Sequence, residues 1–244
     1  MTLVTTAELL TAWERGLPQS GSLRLLTLLA TVHPELSEEQ LLKLPIGHRD
    51  GLALRLREVL FGSQLTSLAA CPVCTERLEL ALDVADIRVA LNGPVQEPVA
   101  LELEGFELEF RLPDSQDLML IEAVSSVDEA RRVLFERCLL SAYRDGQACA
   151  MDNLPEEILD KVEAAMSQAD PQADVQLDLF CPACGHSWLA TFDIASFLWS
   201  EINAWAQRVL NEVHLLAKAY CWREADILAL SSARRRFYLE LVMQ

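Results

Sequence analysis

Cys71-Pro72-Val73-Cys74-Thr75-Glu76-Arg77-Leu78-Glu79-Leu80-Ala81-Leu82-Asp83-Val84-Ala85-Asp86-Ile87 has a look-alike later in this chain, Cys181-Pro182-Ala183-Cys184-Gly185-His186-Ser187-Trp188-Leu189-Ala190-Thr191-Phe192-Asp193-Ile194-Ala195-Ser196-Phe197. Both cysteines and the proline coincide. The copies then stay in phase through Leu78/Trp188, Leu82/Phe192, Asp83/Asp193, Val84/Ile194, Ala85/Ala195 and Ile87/Phe197, so the apolar rhythm after each knuckle is shared along with the sulfurs. Four thiolates in two Cys-x-x-Cys pairs have the spacing of a tetrahedral Zn²⁺ site, the strongest chemical signal in the sequence.

Apolar and polar residues alternate around each knuckle, most plainly in Glu76, Leu78, Leu80 and Leu82, and again over 175–180 and 187–192. A period of two marks strands with one face inward, so each knuckle is expected to be the turn of a hairpin. Cys71, Cys74, Cys181 and Cys184 would leave Zn²⁺ no open coordination position, which makes the metal structural and not catalytic. The expected fold is α+β: a split zinc ribbon formed by two related CPxC hairpins, with an inserted hairpin-and-helix region, an N-terminal helical region and a long C-terminal helix. Roughly a hundred residues separate Cys74 from Cys181, but loop-closure entropy grows only logarithmically and the insert carries elements of its own. A redox pair, half-sites joined across a dimer, and knuckles without metal are the competing readings. A thioredoxin-type thiol needs a helix directly after the motif, whereas both knuckles here run on into strands. His186 is read as a hydrogen-bonding neighbour or a solvent-facing residue.

Outward from the knuckles, helical periodicity dominates. Residues 1–62 read as an N-terminal helical region. Thr6 caps a first helix, Gly16-Leu17-Pro18 breaks it, and Leu25, Leu26, Leu28, Leu29 and Val32 cover most of a second. Leu52, Leu56, Val59 and Leu60 make one stripe on a helix that ends at Gly62. The second region, 63–192, holds the hairpins and the insert. In it Asn92-Gly93-Pro94 marks a loop, Glu104-Gly105 a tight turn between strands, and Ser126 with Glu129 a capping box for a helix running through Cys138 to Tyr143. The third region, 193–244, opens with Asp193 capping a long helix striped by Phe197, Leu198, Ile202, Trp205, Val209, Val213, Leu216 and Ala217.

Half of the residues are hydrophobic (51%) and 23% are charged, so the chain has apolar mass for a sizeable core. Charge interrupts every apolar run before the roughly 20 residues of a membrane span, and a cytoplasmic protein without membrane partners is expected. Seven cysteines, four of them in Cys-x-x-Cys units, suit metal in a reducing compartment better than a disulfide framework. Cys138 is placed in the core. A net charge of −17 repels phosphate backbones, so no nucleic acid is expected as a partner despite Arg234, Arg235 and Arg236. Glycine-rich phosphate loops, nucleophile elbows and H-E-x-x-H are absent from the sequence, and no enzyme activity is expected.

Aromatic residues gather late in the chain, at Phe197, Trp199, Trp205, Trp222, Phe237 and Tyr238. The two readings are a core helix and a docking surface for another protein. The first knuckle with its acidic-apolar alternation, the string Leu112-Pro113-Asp114-Ser115-x-Asp117-Leu118, the second knuckle and the terminal stretch 215–242 together resemble the baseplate hub assembly chaperones of contractile-tailed phages and phage-like injection systems. The resemblance implies a non-enzymatic, zinc-stabilised assembly factor whose partners are hub, spike or tape-measure proteins. It also implies a partner surface at Tyr220, Trp222, Asp226, Leu230, Arg235 and Tyr238, to which Trp205 on the long helix is added. The alternatives are a permanent baseplate subunit, which would place the chain in the virion or injection particle, and a zinc-ribbon nucleic-acid regulator.

Overall fold

Thr5 ends the extended start of the chain and caps helix α1 (Thr6–Gly16): its Oγ1 accepts the Glu8 amide at 3.2 Å while Glu8 Oε2 accepts the Thr5 amide at 2.8 Å. The expected cap, Thr6, is one residue late, because Glu8 three residues after Thr5 completes the box. The computed structural model describes residues 4–89 and 98–243, and its contacts separate two units, Met1–Glu38 with Ile194–Gln244, and Glu39–Asp193. Of the spans read from sequence, 63–192 lies in the second unit, 193–244 falls in the first apart from Asp193, and 1–62 is divided after Glu38. Asn92-Gly93-Pro94 lies outside the described residues.

The first unit is helical. Helix α2 (Gly21–Val32) buries Leu25, Leu26, Leu28, Leu29 and Val32, and helix α9 (Ile194–Tyr220) buries Ile194, Leu198, Ile202, Ala206, Val209, Val213 and Leu216. Spacings of three and four keep that second set on one side of the helix, where α1 and α2 pack. Phe197, Trp205 and Ala217 flank the stripe half-buried. Gly16 lets α1 approach closely, since a Cβ there would meet the Trp199 ring at 2.6 Å. Trp13 Nε1 donates to Asn203 Oδ1 at 3.0 Å, and Arg24 sits over the Trp199 ring. Helices α10 (Glu224–Leu228) and α11 (Ser232–Val242) close the unit against α9.

The second unit mixes helix and sheet. After the short α3 (Glu38–Leu42), helix α4 (Ile46–Phe61) ends at Gly62, whose φ of 88° only glycine adopts freely. Of the expected stripe Leu56 is buried and Leu52 and Leu60 half-buried, but the buried face is centred elsewhere. Ala53, Leu54, Leu56 and Arg57 are inside, while Val59 is 57% exposed. Arg57 is buried in that face, its guanidinium donating to Gly62 O at 2.6 Å.

Strands β1 (Gln64–Ala70) and β2 (Arg77–Asp83) form one antiparallel pair, followed by α5 (Val84–Ile87). Then come β3 (Val99–Leu103), β4 (Phe106–Phe110), α6 (Ser115–Ile121), α7 (Val127–Cys138), β5 (Leu139–Arg144), β6 (Gln147–Ala148) and α8 (Glu156–Ala169). The four strands make an antiparallel sheet in the order β3-β4-β5-β6. Alternation sends Phe106, Leu108 and Phe110 inward against Phe135, Ile158 and Val162, leaving Glu107 and Glu109 outside. Glu104 and Gly105 take positive φ in the expected tight turn. The helix expected to run on through Tyr143 instead ends at Cys138, and Leu139–Arg144 pairs with β4. Asp145 and Gly146, at φ 50° and 77°, turn that strand back into β6, and pairing to an existing sheet overrides local helical preference. The last pair, β7 (Gln176–Phe180) and β8 (Ser187–Thr191), ends at Asp193.

The Leu112–Leu118 string ties α6 to the sheet. Asp114 caps the helix, and Asp117, fully buried, accepts from both Arg111 Nη atoms at 2.6 and 2.9 Å, from Arg137 Nε at 2.5 Å and from the Asp114 amide at 2.9 Å. Burial favours the neutral acid, but these donors outweigh it and hold the Asp117 pKa at about 2. A pKa depressed on folding gives stability that is present above the ordinary value and lost as pH falls towards 2. Asp117→Asn is expected to cost about 3 kcal/mol at neutral pH, because two guanidinium groups lose their carboxylate. Urea titrations of both proteins between pH 2 and 6 check this, and the gap should narrow in acid.

Candidate functional site

Each knuckle is built by its hairpin. In the first, the Cys71 amide donates to Glu76 O at 2.9 Å and the Thr75 amide to Cys71 O at 2.9 Å. In the second, the Cys181 amide donates to His186 O and the Gly185 amide to Cys181 O, both at 2.8 Å. A shift of 110 positions therefore maps one knuckle onto the other, hydrogen bond for hydrogen bond. It also maps the Ala70–Arg77 strand pair onto Phe180–Ser187. The residue after the second cysteine is left-handed in both, Thr75 at φ 62° and Gly185 at φ 76°. No side chain crowds Gly185, so Gly185→Ala is expected to cost only the backbone strain that Thr75 already bears, about 1 kcal/mol by thermal melting.

The four sulfurs meet within the second unit. All lie within 4.8 Å of one another, with Cys71 Sγ 3.6 Å from Cys184 Sγ and Cys74 Sγ 3.5 Å from Cys181 Sγ. These are not disulfides, whose bond is about 2.05 Å. Metal–sulfur bonds of about 2.3 Å in a tetrahedron place sulfurs about 3.8 Å apart, close to what is seen. Cys71 and Cys181 are buried; Cys74 and Cys184 face outward.

Ionisation of the set is frustrated when only sulfurs are present. Burial opposes the Cys71 thiolate, but the Cys74 and Val73 amides overcome it and bring the pKa down to about 7. At Cys74 the Glu76 amide favours the thiolate, yet Cys184, burial and Cys181 outweigh it and push the pKa up to about 12. Cys184 is also raised, the His186 amide being outweighed by burial and the neighbouring sulfurs. Cys71 ionises readily while Cys74 and Cys184 are held back; a dication at the centre would remove that conflict. The donor set thus fits a four-thiolate metal ion. His186 is outside the set, and its ring stacks on Trp188 with centroids 5.9 Å apart.

The remaining site residues from the sequence lie in the first unit, and only some of them gather. Tyr220 stacks on Trp222 at 4.7 Å, and Tyr238 meets both edge-on, at 6.0 and 5.0 Å. Phe237 meets Tyr238 edge-on at 6.0 Å and is exposed, as are Leu241 and Met243 nearby in the chain. Asp226 is exposed and Leu230 half-buried beside it in the chain. Trp205 stands four turns of α9 before Tyr220, about 22 Å along the axis, and does not join them. Arg235 faces inward: it donates to Glu212 Oε2 at 3.0 Å and to Leu230 O at 2.7 Å, which anchors α11 to α9 and removes it from the surface. The basic triplet is thereby split, with only Arg234 and Arg236 outward. Cys138 is fully buried, and burial with the nearby Asp117 carboxylate pushes its thiol up to about 12. Cys221, at φ 54°, ends α9 in a left-handed conformation that the sequence did not advertise.

Among the described residues no helix is long and apolar enough to cross a membrane. No curated protein and no solved structure gave a significant match. A family model described as T4 bacteriophage base plate protein matches residues 25–199, a span that contains both knuckles and stops before the aromatic cluster.

Proposed function

From the premise that the chain belongs to the T4 bacteriophage base plate protein family, we propose that it is a non-enzymatic, zinc-stabilised assembly factor for the baseplate or central hub of a phage-type contractile tail or injection system. The family match over residues 25–199 carries this reading. In it Cys71, Cys74, Cys181 and Cys184 hold one Zn²⁺, which neutralises their charge and locks the two hairpins, and the metal takes no part in chemistry. The aromatic cluster of Tyr220, Trp222 and Tyr238 with its exposed apolar fringe supplies a docking face, and the acidic surface disfavours nucleic acid. The client is a hub, spike or tape-measure component, held until it is incorporated.

Affinity purification of the tagged chain from producing cells tests the reading. Co-purification with a tail component from assembly intermediates, and depletion from finished particles, is the expected result. Stoichiometric chain in finished particles would replace the chaperone role with that of a permanent subunit, which the family description also suits. Retention on DNA at low salt, lost when Arg234 and Arg236 are neutralised, would favour a nucleic-acid regulator.

A further inference from the structure

Between α7 and α8 lies a cavity of about 350 Å³. Its walls are mostly apolar, from Leu112, Ala130, Leu134 and Met166, and Val127 stands at its side 83% exposed. An exposed valine beside an apolar hollow is a surface that a monomer has little reason to keep. Carboxylates outnumber cations around it. Arg131, Glu163 and Asp174 line the cavity, and Arg131 is already engaged by Glu163 together with Glu156 and Asp160 beside the opening.

The wall also contains Asp170, only 3% exposed. Its Oδ2 accepts the Gly47 amide at 2.8 Å, while Oδ1 is buried with no hydrogen-bond partner among the described residues. That oxygen packs against Gly47, where a Cβ would lie 1.9 Å from it, so the carboxylate faces α4 and not the opening. Apolar walls and a surplus of carboxylates at the opening together describe the complement of an apolar-and-basic segment.

We propose that this cavity is a docking site for a segment of a partner protein that seats apolar side chains between α7 and α8 and presents lysine or arginine to Glu163 and Asp174. This rests on the reading of the chain as a protein-binding baseplate component, and it adds a second contact surface of different chemistry from the aromatic cluster. The basic residues set the approach and the salt dependence; the apolar side chains set the residence time.

Two helical probe peptides with the same leucine stripe, one flanked by lysines and one by glutamates, test it on the full-length chain by fluorescence anisotropy. Each carries one diazirine leucine, so that mass spectrometry locates the contact whatever happens to a variant. The expected result is binding of the lysine peptide at least about tenfold tighter than the glutamate peptide, crosslinks confined to Val127–Cys138 and Glu156–Ala169, and at least about tenfold loss in Ala130→Arg. Equal binding of the two peptides, no binding of either, or an unchanged affinity in a folded Ala130→Arg protein overturns it. Crosslinks at Tyr220, Trp222 or Tyr238 also overturn it while leaving the assembly-factor reading intact. A small apolar molecule retained in the cavity through purification would assign it to another ligand and likewise overturn the proposal. Conversely, absence of the chain from every assembly intermediate would remove the assembly reading without touching the peptide result.

Discussion

Cys71→Ser and Cys181→Ser are each expected to abolish zinc binding and to destabilise the second unit by about 5 kcal/mol or more, the largest effect of any single substitution in this protein. The reason is how little else holds the hairpins. A two-stranded sheet is marginal alone in water. Here β1 buries only Leu65 fully and β7 only Leu179, while Leu78, Leu80 and Leu82 are half-buried. The two inward sulfurs are therefore a large part of what packs at the knuckles. Native mass spectrometry should find one zinc per wild-type chain and none in either variant. Hydrogen exchange should show lost protection over 64–83 and 176–191 before it is lost in the Phe106–Phe110 strand, whose core is independent of the metal. Metal-free wild-type protein with the same hairpin protection as the zinc form would sink the structural role.

Gly47→Ala should be the most damaging substitution that replaces neither a cysteine nor a charged residue. Alanine for glycine inside a helix ordinarily stabilises by about 0.5–1 kcal/mol. At Gly47 a Cβ would lie 1.9 Å from Asp170 Oδ1, 2.6 Å from its Cγ and 2.8 Å from the backbone nitrogen of Ala173. The side chain cannot swing away without giving up the Gly47 amide, and the Ala173 backbone belongs to a turn fixed by Ala173 N to Asp170 O at 3.0 Å. Overpacking and the lost hydrogen bond together should cost at least about 3 kcal/mol. Gly21→Ala is the control, since that position opens α2 with nothing within 4 Å and should be neutral or slightly stabilising. Equal melting temperatures for the two variants would show that the Gly47–Asp170 contact is not the constraint described.

The hairpins and the sulfur cluster were legible in the sequence because their signals are local and doubled. Alternation, a proline-bent knuckle and a capping aspartate each occur twice, and every copy supports the other. The β5 strand was not legible in the same way: its six residues continue a helical period, and only pairing with β4 makes them extended. The Asp145-Gly146 turn was the available clue. The inward turn of Arg57 and Arg235 could not be read either, since arginine is expected outside unless a carbonyl or carboxylate awaits it, and those acceptors are set by the fold. Asp170 was invisible for the same reason. Its place is fixed by Gly47, more than a hundred residues earlier, and no periodicity connects the two.

The 110-position offset between the knuckles is also an interval of time. At about 5–20 residues per second, the ribosome releases Cys71 and Cys74 on the order of 5–20 s before their counterparts exist. During that interval the nascent chain has two thiols and half a binding site, and α1 and α2 likewise await α9, the helix they pack on. Both closures are completed by residues past 180, so synthesis that stalls in the insert leaves neither the four-sulfur cluster nor the helical unit formed. Two early, open halves joined by one late arrival make the finished state a report that translation has passed the second knuckle.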